Sequence, residues 1–231
     1  MTLVKICGVS EPRHARAAAS YGADLIGVVF APSQRQVTMG QAARIAEALG
    51  ERAGPPAAAT VEAVEERLHA GRPLLAGVFA DQDADTINAI AREVGLDLVQ
   101  LSGSEPWEVC ELIERPVLKC LKVRQDQKAP EVLAQVHSGA LLLLDPYVEG
   151  AYGGAGVTLD WAVAAQVAKE HPVMLAGGLR PDNVARAVLV VHPWAVDVSS
   201  GVESDGAKDV AKIRAFIKAA KEADAPAAET A

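Results

Sequence analysis

Two residues able to move protons, Cys7 and Asp145, each stand at the end of a short apolar run. Asp145 leaves Leu141 to Leu144 and enters the loop DPYVEGAYGGAGVTLDW, where Gly153, Gly154 and Gly156 let successive backbone N–H groups turn toward an anion such as phosphate. The loop thus pairs a potential acid with a potential phosphate cradle, although a glycine cluster taken alone also serves as an ordinary turn. Cys7 follows the run Leu3 to Ile6. A free cysteine is commonly a small buried hydrophobe, but Lys5 lies two residues before it, and side chains at that spacing share a strand face. Lys5 is therefore placed to support either a thiolate or a bound substrate. Arg35, in the loop after Phe30, has the fork geometry that recognises a carboxylate.

Further polar residues stand in equivalent places. Asp197 interrupts the apolar stretch Ala195 to Val198 and would be costly to bury without partners, so it is expected to face a ligand. Ala176-Gly177-Gly178-Leu179 and Ser199-Ser200-Gly201 each follow an apolar run, and their small residues and backbone donors suit an anion. Gln100 and Ser102 close another run and are less informative. Asp81, Asp83 and Asp85 read as helix-start residues.

These residues need a frame that gathers strand ends. Strands are predicted at 3–6, 25–30, 74–79, 98–101, 117–123, 141–144, 173–176 and 195–198, rich in Val, Ile and Leu on both faces. Amphipathic helical patterns lie between them, including 40–49 with Thr38 as its cap, 85–94, and 208–221. Eight such units imply a single-domain α/β fold, a (βα)8 barrel over residues 1–222, with an open doubly wound sheet as the alternative. In such barrels reactive groups collect at the C-terminal strand ends, and the loops after strands seven and eight recur as phosphate sites. Residues 51–72, which include Gly54-Pro55-Pro56, are expected to form a surface excursion, and 223–231, which lack large apolar residues, a frayed tail.

Composition narrows the function classes. The 231 residues carry 22 Lys plus Arg against 30 Asp plus Glu, a formal charge of −8, which argues against a nucleic-acid or anionic-membrane surface. Three cysteines without C-x-x-C spacing suggest neither a disulfide framework nor a zinc site. No run approaches a spanning helix, and the N-terminal residues lack a secretory h-region, so a cytoplasmic setting is expected. Monomer and homodimer both remain open.

Set in chain order, the segments Lys5-Ile6-Cys7-Gly8, Gly22-Ala23-Asp24 with Gly27, Ser33-x-Arg35, Gly77-Val78-Phe79, Val99-Gln100-Leu101, Leu144-Asp145, Gly153-Gly154-x-Gly156 with Asp160-Trp161, Leu175 to Leu179, and Asp197 to Glu203 resemble the phosphoribosylanthranilate isomerase family of tryptophan biosynthesis. The resemblance implies a (βα)8 barrel that performs an Amadori rearrangement on a phosphoribosylated small molecule, without metal or organic cofactor. It implies Cys7 as general base and Asp145 as general acid, Arg35 on the anthranilate carboxylate, and Asp197 at the anthranilate end. Gly154, Gly156, Gly178, Ser199 and Ser200 would surround the phosphate, with Lys5, Gln100, Gly177 and Gly201 completing the substrate-binding set. Three positions depart from the family pattern: Ser102 where a histidine is usual, Gln34 where a proline is usual, and Ala155 in place of a hydroxyl residue. Loss of one hydrogen bond to a charged phosphate would weaken binding by roughly 1.5–3 kcal/mol. The competing readings are a related phosphosugar barrel, a Schiff-base aldolase using Lys119 or Lys122, and a silent barrel that only binds.

Overall fold

The computed structural model describes residues 1–71, 73–137, 139–149 and 157–224. Eight strands, β1 (Leu3–Ile6), β2 (Leu25–Val29), β3 (Leu74–Phe79), β4 (Leu98–Leu101), β5 (Val117–Val123), β6 (Leu141–Pro146), β7 (Val173–Leu175) and β8 (Ala195–Val198), pair in sequence order. Parallel pairing of β1 with β8 closes the barrel. The closed barrel is the predicted fold, and the open-sheet alternative falls. The strand bounds differ from expectation at three ends: β2 stops at Val29, β6 continues to Pro146, and β7 stops at Leu175.

Side chains alternate across each strand with period two, and the two faces build different cores. Val4, Ile6, Ile26, Val28, Val99, Leu142, Leu144 and Val196 pack outward against the helices. Leu3, Leu25, Leu74, Leu98, Leu118, Leu141 and Ala195 fill the interior toward the strand starts. The same alternation carries Lys5, Gln100, Lys122, Asp145 and Asp197 inward nearer the strand ends, where the cavity described below opens.

The connecting helices are α1 (Pro12–Ser20), α2 (Met39–Ala48), α3 (Val61–Ala70), α4 (Ala84–Val94), α5 (Ala129–Leu133), α6 (Trp161–Glu170), α7 (Val184–Val191) and α8 (Val210–Ala223). Thr38 caps α2 in a capping box with Gln41, as the sequence suggests, because each side chain satisfies the other's orphan backbone donor. Asp83 caps α4 through the Thr86 N–H. Asp81 plays no part in that cap. Its backbone is left-handed, with φ 62°, and its Oδ1 accepts from the N–H and hydroxyl of Ser104. It ties the loop after β3 to the loop after β4. Between β4 and β5 the chain makes only a 3₁₀ turn (Trp107–Leu112).

Residues 51–71 do more than run over the surface. Val64 and Leu68 of α3 are buried in the same cluster as Leu3, Leu25, Leu74 and Leu98, so α3 covers the N-terminal end of the barrel interior. Arg52 pairs with Asp97, which also accepts from the Leu75 N–H at 2.8 Å, and Arg67 reaches Asp97 at 3.8 Å. Lys208 falls in a two-stranded hairpin, β9 (Glu203–Ser204) and β10 (Ala207–Lys208), rather than starting the last helix. Helix α8 instead runs on to Ala223, and Asp224 accepts from the Thr2 N–H. The expected tail therefore shortens to residues 225–231, which lie outside the described residues.

Candidate active site

A cavity of about 410 Å³ opens at the C-terminal ends of the strands. That size lies within the range of small-ligand pockets. Its lining includes Cys7, Arg35, Gln100, Asp145, Asp197 and Ser199, drawn from the ends of several separate strands. Gly177, Gly178, Ser200 and Gly201 line it as well. Lys5 lies beneath, fully buried. Of the residues singled out in the sequence, Gly154 and Gly156, together with Gly153 and Ala155, fall outside the described residues.

The floor of the cavity is polar and paired. Lys5 and Asp197 are register partners on β1 and β8, and Lys5 Nζ donates to Asp197 Oδ1 at 2.9 Å and to Gln100 Oε1 at 2.8 Å. Gln100 Nε2 then donates to Ser102 Oγ at 2.8 Å. Burial works against a charge on Lys5, but Asp197 and the Cys7 sulfur outweigh it and hold the ammonium above its ordinary value. The Lys5 ammonium also acts on the Cys7 sulfur through its charge. Even so, burial pushes the Cys7 thiol up from 9.0 against the pull of Lys5. The net shift is upward, against the thiolate that Lys5, two places back, suggests in the sequence.

Room for that sulfur comes from Gly27 on the adjacent strand, where a Cβ would sit 2.8 Å from Cys7 Sγ. Cys7 packs with Val29, Ala31, Val78 and Ala80 around the mouth. Three strands away around the ring, Asp145 ends the apolar part of β6. Burial raises its carboxyl, and the Lys122 ammonium, at 2.7 Å from Oδ2, opposes part of that rise. A carboxyl pushed up in this way is suited to giving a proton.

Arg35 is held rather than loose. Its Nε and Nη2 each donate to a different oxygen of Glu203 at 2.8 Å, and Glu203 also accepts from Lys208 Nζ at 2.6 Å. Lys208 Nζ donates to the Ser199 carbonyl at 2.9 Å as well. Gly8, with φ 71°, fits beneath this group: a Cβ there would meet Arg35 Cδ at 2.6 Å and Ser199 Oγ at 2.9 Å. On the other side, Gly177 and Gly178 both adopt left-handed backbone, with φ 88° and 59°. A Cβ on Gly201 would collide with the Leu179 carbonyl, so the loops after β7 and β8 press together only because that position is glycine.

Sequence reasoning assigned no role to Glu203 or Lys208, and weighed Lys122 only as a Schiff-base lysine. Glu203 stood inside a matching segment, which was the available signal; nothing local marks the other two. The structure separates the two β5 lysines. Lys119 Nζ donates to the Glu105 carbonyl at 2.7 Å and to its carboxylate at 3.0 Å, whereas Lys122 reaches Asp145. Both ammonium groups are engaged, which removes the specific support for the aldolase reading. Among the described residues no group of three or more His, Cys, Asp or Glu is arranged to hold a metal ion, and no helix is long and apolar enough to cross a membrane.

Residues 46–219 match the family model described as N-(5'-phosphoribosyl)anthranilate isomerase. The N-(5'-phosphoribosyl)anthranilate isomerase of Dehalococcoides mccartyi is 42% identical over 231 aligned positions, covering 97% of this chain and 98% of that one. The crystal structure of phosphoribosyl anthranilate isomerase from Thermotoga maritima aligns with a TM-score of 0.79 at 34% identity, over 96% of this chain and 100% of that chain. A further crystal structure of phosphoribosyl anthranilate isomerase, in complex with reduced 1-(o-carboxyphenylamino)-1-deoxyribulose 5-phosphate, aligns with a TM-score of 0.75 at 32% identity. That alignment covers 96% of this chain and 100% of the other.

Proposed function

The chain belongs to the N-(5'-phosphoribosyl)anthranilate isomerase family and is an isomerase of tryptophan biosynthesis, and from that premise we propose that Asp145 and Cys7 carry its two proton transfers. The observation that supports this reading is their placement: an up-shifted carboxyl and a thiol beside a buried ammonium line one cavity from strands three apart. In the first step the Asp145 carboxyl gives its proton to the furanose ring oxygen while the C1'–O bond breaks, and the anthranilate nitrogen forms a cationic Schiff base with C1'. That cation acidifies the C–H at C2'. In the second step Cys7, as thiolate, removes the C2' proton, and the electron pair moves through the C1'–C2' bond to neutralise the nitrogen. The resulting enolamine tautomerises to the 1-amino-1-deoxyribulose product. Lys5, kept cationic by Asp197, supplies the positive charge a buried thiolate needs.

The remaining residues suit binding. Arg35, oriented by Glu203, presents Nη1 as the guanidinium nitrogen not used in that pair, which suits the anthranilate carboxylate. Gly177, Gly178, Ser199, Ser200 and Gly201 border the cavity with backbone groups suited to the phosphate, and Gly154 and Gly156 are assigned to the same cradle from sequence alone. Asp197 and Gln100 position the substrate from the floor. Unpaired cysteines agree with a reducing compartment, and a cytoplasmic setting is proposed.

The test is conversion of phosphoribosylanthranilate, generated in place from anthranilate and phosphoribosyl pyrophosphate by a transferase and followed by its fluorescence. Cys7→Ala and Asp145→Asn should each lower kcat by about 10²- to 10⁴-fold with circular dichroism unchanged. Near-normal turnover by either variant would remove that residue from its role.

A further inference from the structure

We propose that Lys122 is a positioning residue for Asp145. The proposal rests on Asp145 being the general acid. Lys122 and Asp145 are register partners on β5 and β6, so both side chains point inward at the same height. Nζ donates to Oδ2 at 2.7 Å, and both side chains are largely shielded, at 18% and 11% exposure. Because Oδ2 accepts from a cation, the carboxyl proton belongs on Oδ1. The ammonium thereby selects which oxygen carries the transferable proton. Once that proton has gone to the sugar, Asp145 is a buried carboxylate, and Lys122 is already in place to stabilise the charge as it develops.

On the far side of the interior, Lys5 Nζ donates to Gln100 Oε1 at 2.8 Å and Gln100 Nε2 donates to Ser102 Oγ at 2.8 Å. Ser102, one of the three departures from the family pattern, ends that chain of hydrogen bonds. The charged groups bearing on Asp145 come from three strands: Lys122 on β5, Asp197 on β8 and Lys5 on β1. Lys122 acts more strongly on it than the other two and lowers its pKa, so removing that charge lets burial raise the carboxyl further.

The test measures kcat/KM against pH for wild type, Lys122→Met, Lys122→Gln and Lys122→Arg. The two neutral variants should move the lower limb to higher pH and leave the upper, thiol limb in place, with kcat down by about 10²-fold from loss of orientation. Lys122→Arg should return the limb toward wild type. A lower limb that coincides with wild type in both neutral variants overturns the proposal, as does a uniform fall in rate at every pH. A second readout needs no substrate: the carbon-13 carboxyl resonance of Asp145, identified by its loss in Asp145→Asn, should titrate at higher pH without Lys122. If wild type fails to convert the substrate, the isomerase assignment of these residues falls while the titration still decides the role of Lys122. If wild type turns over and neither readout moves, Lys122 falls alone.

Discussion

The thiol proposed as the base is pushed toward its protonated form by the burial of the cavity that houses it. Burial raises Cys7 above 9.0, and Lys5 recovers only part of that rise. Alkylation of Cys7 in the free protein, followed by mass spectrometry of its peptide as a function of pH, should therefore show a midpoint above 9.0. A midpoint near neutrality would mean that the ammonium dominates and that the thiolate exists before substrate arrives. The sulfur's position was legible in the sequence as the first residue after a strand, with a lysine two places back. Its protonation state was not, because desolvation depends on everything that closes over it, including Gly27 and the Val29, Ala31, Val78 and Ala80 cluster. Asp145 differs: its burial was implied by the leucines before it, and the direction of its shift agrees with what a proton donor needs.

Among the elements, α3 changes most between sequence and structure. Its pattern, VEAVEERLHA, has few apolar residues and suggested a solvated excursion. Yet Val64 and Leu68, four residues apart and on one helical face, close the barrel's N-terminal end. Burial of each contributes roughly 1.5–3 kcal/mol. Leu68→Ala should cost about 2–5 kcal/mol, read as a lower urea midpoint, while KM and kcat near room temperature hold, because the cavity lies at the other end. A stability unchanged within error would return α3 to the surface. The strands, by contrast, were readable almost to the residue. Continuous Val, Ile and Leu runs bounded by glycine and charged residues have one stable use in a chain of alternating helices, a parallel sheet covered on its outer face.

At the scale of the molecule, the barrel is tied across its closure by charge. Glu203, after β8, accepts from Arg35, after β2, and from Lys208 in the hairpin. Burial alone would raise this carboxyl, but Arg35 and Lys208 hold it below 4.5 on balance. A carboxylate with a depressed folded-state pKa contributes stability that is present above its unfolded value and lost as pH falls through the folded one. Wild type should therefore lose stability in urea titrations from about 4.5 downward, and Glu203→Gln should be weaker at neutrality with a shallower dependence through the same window. Parallel curves for the two proteins would show that the pair carries no net stabilisation. By itself the sequence determined the strand pattern, the single barrel, and the acid and base candidates, because these follow from local periodicity and from polar residues interrupting apolar runs. Only the tertiary structure decided the partnerships: Lys122 with Asp145 at a separation of 23 residues, Arg35 with Glu203 at 168, and Lys5 with Asp197 at 192. Those pairs exist because ring closure and strand register bring distant side chains to one height, and no local pattern encodes register between strands.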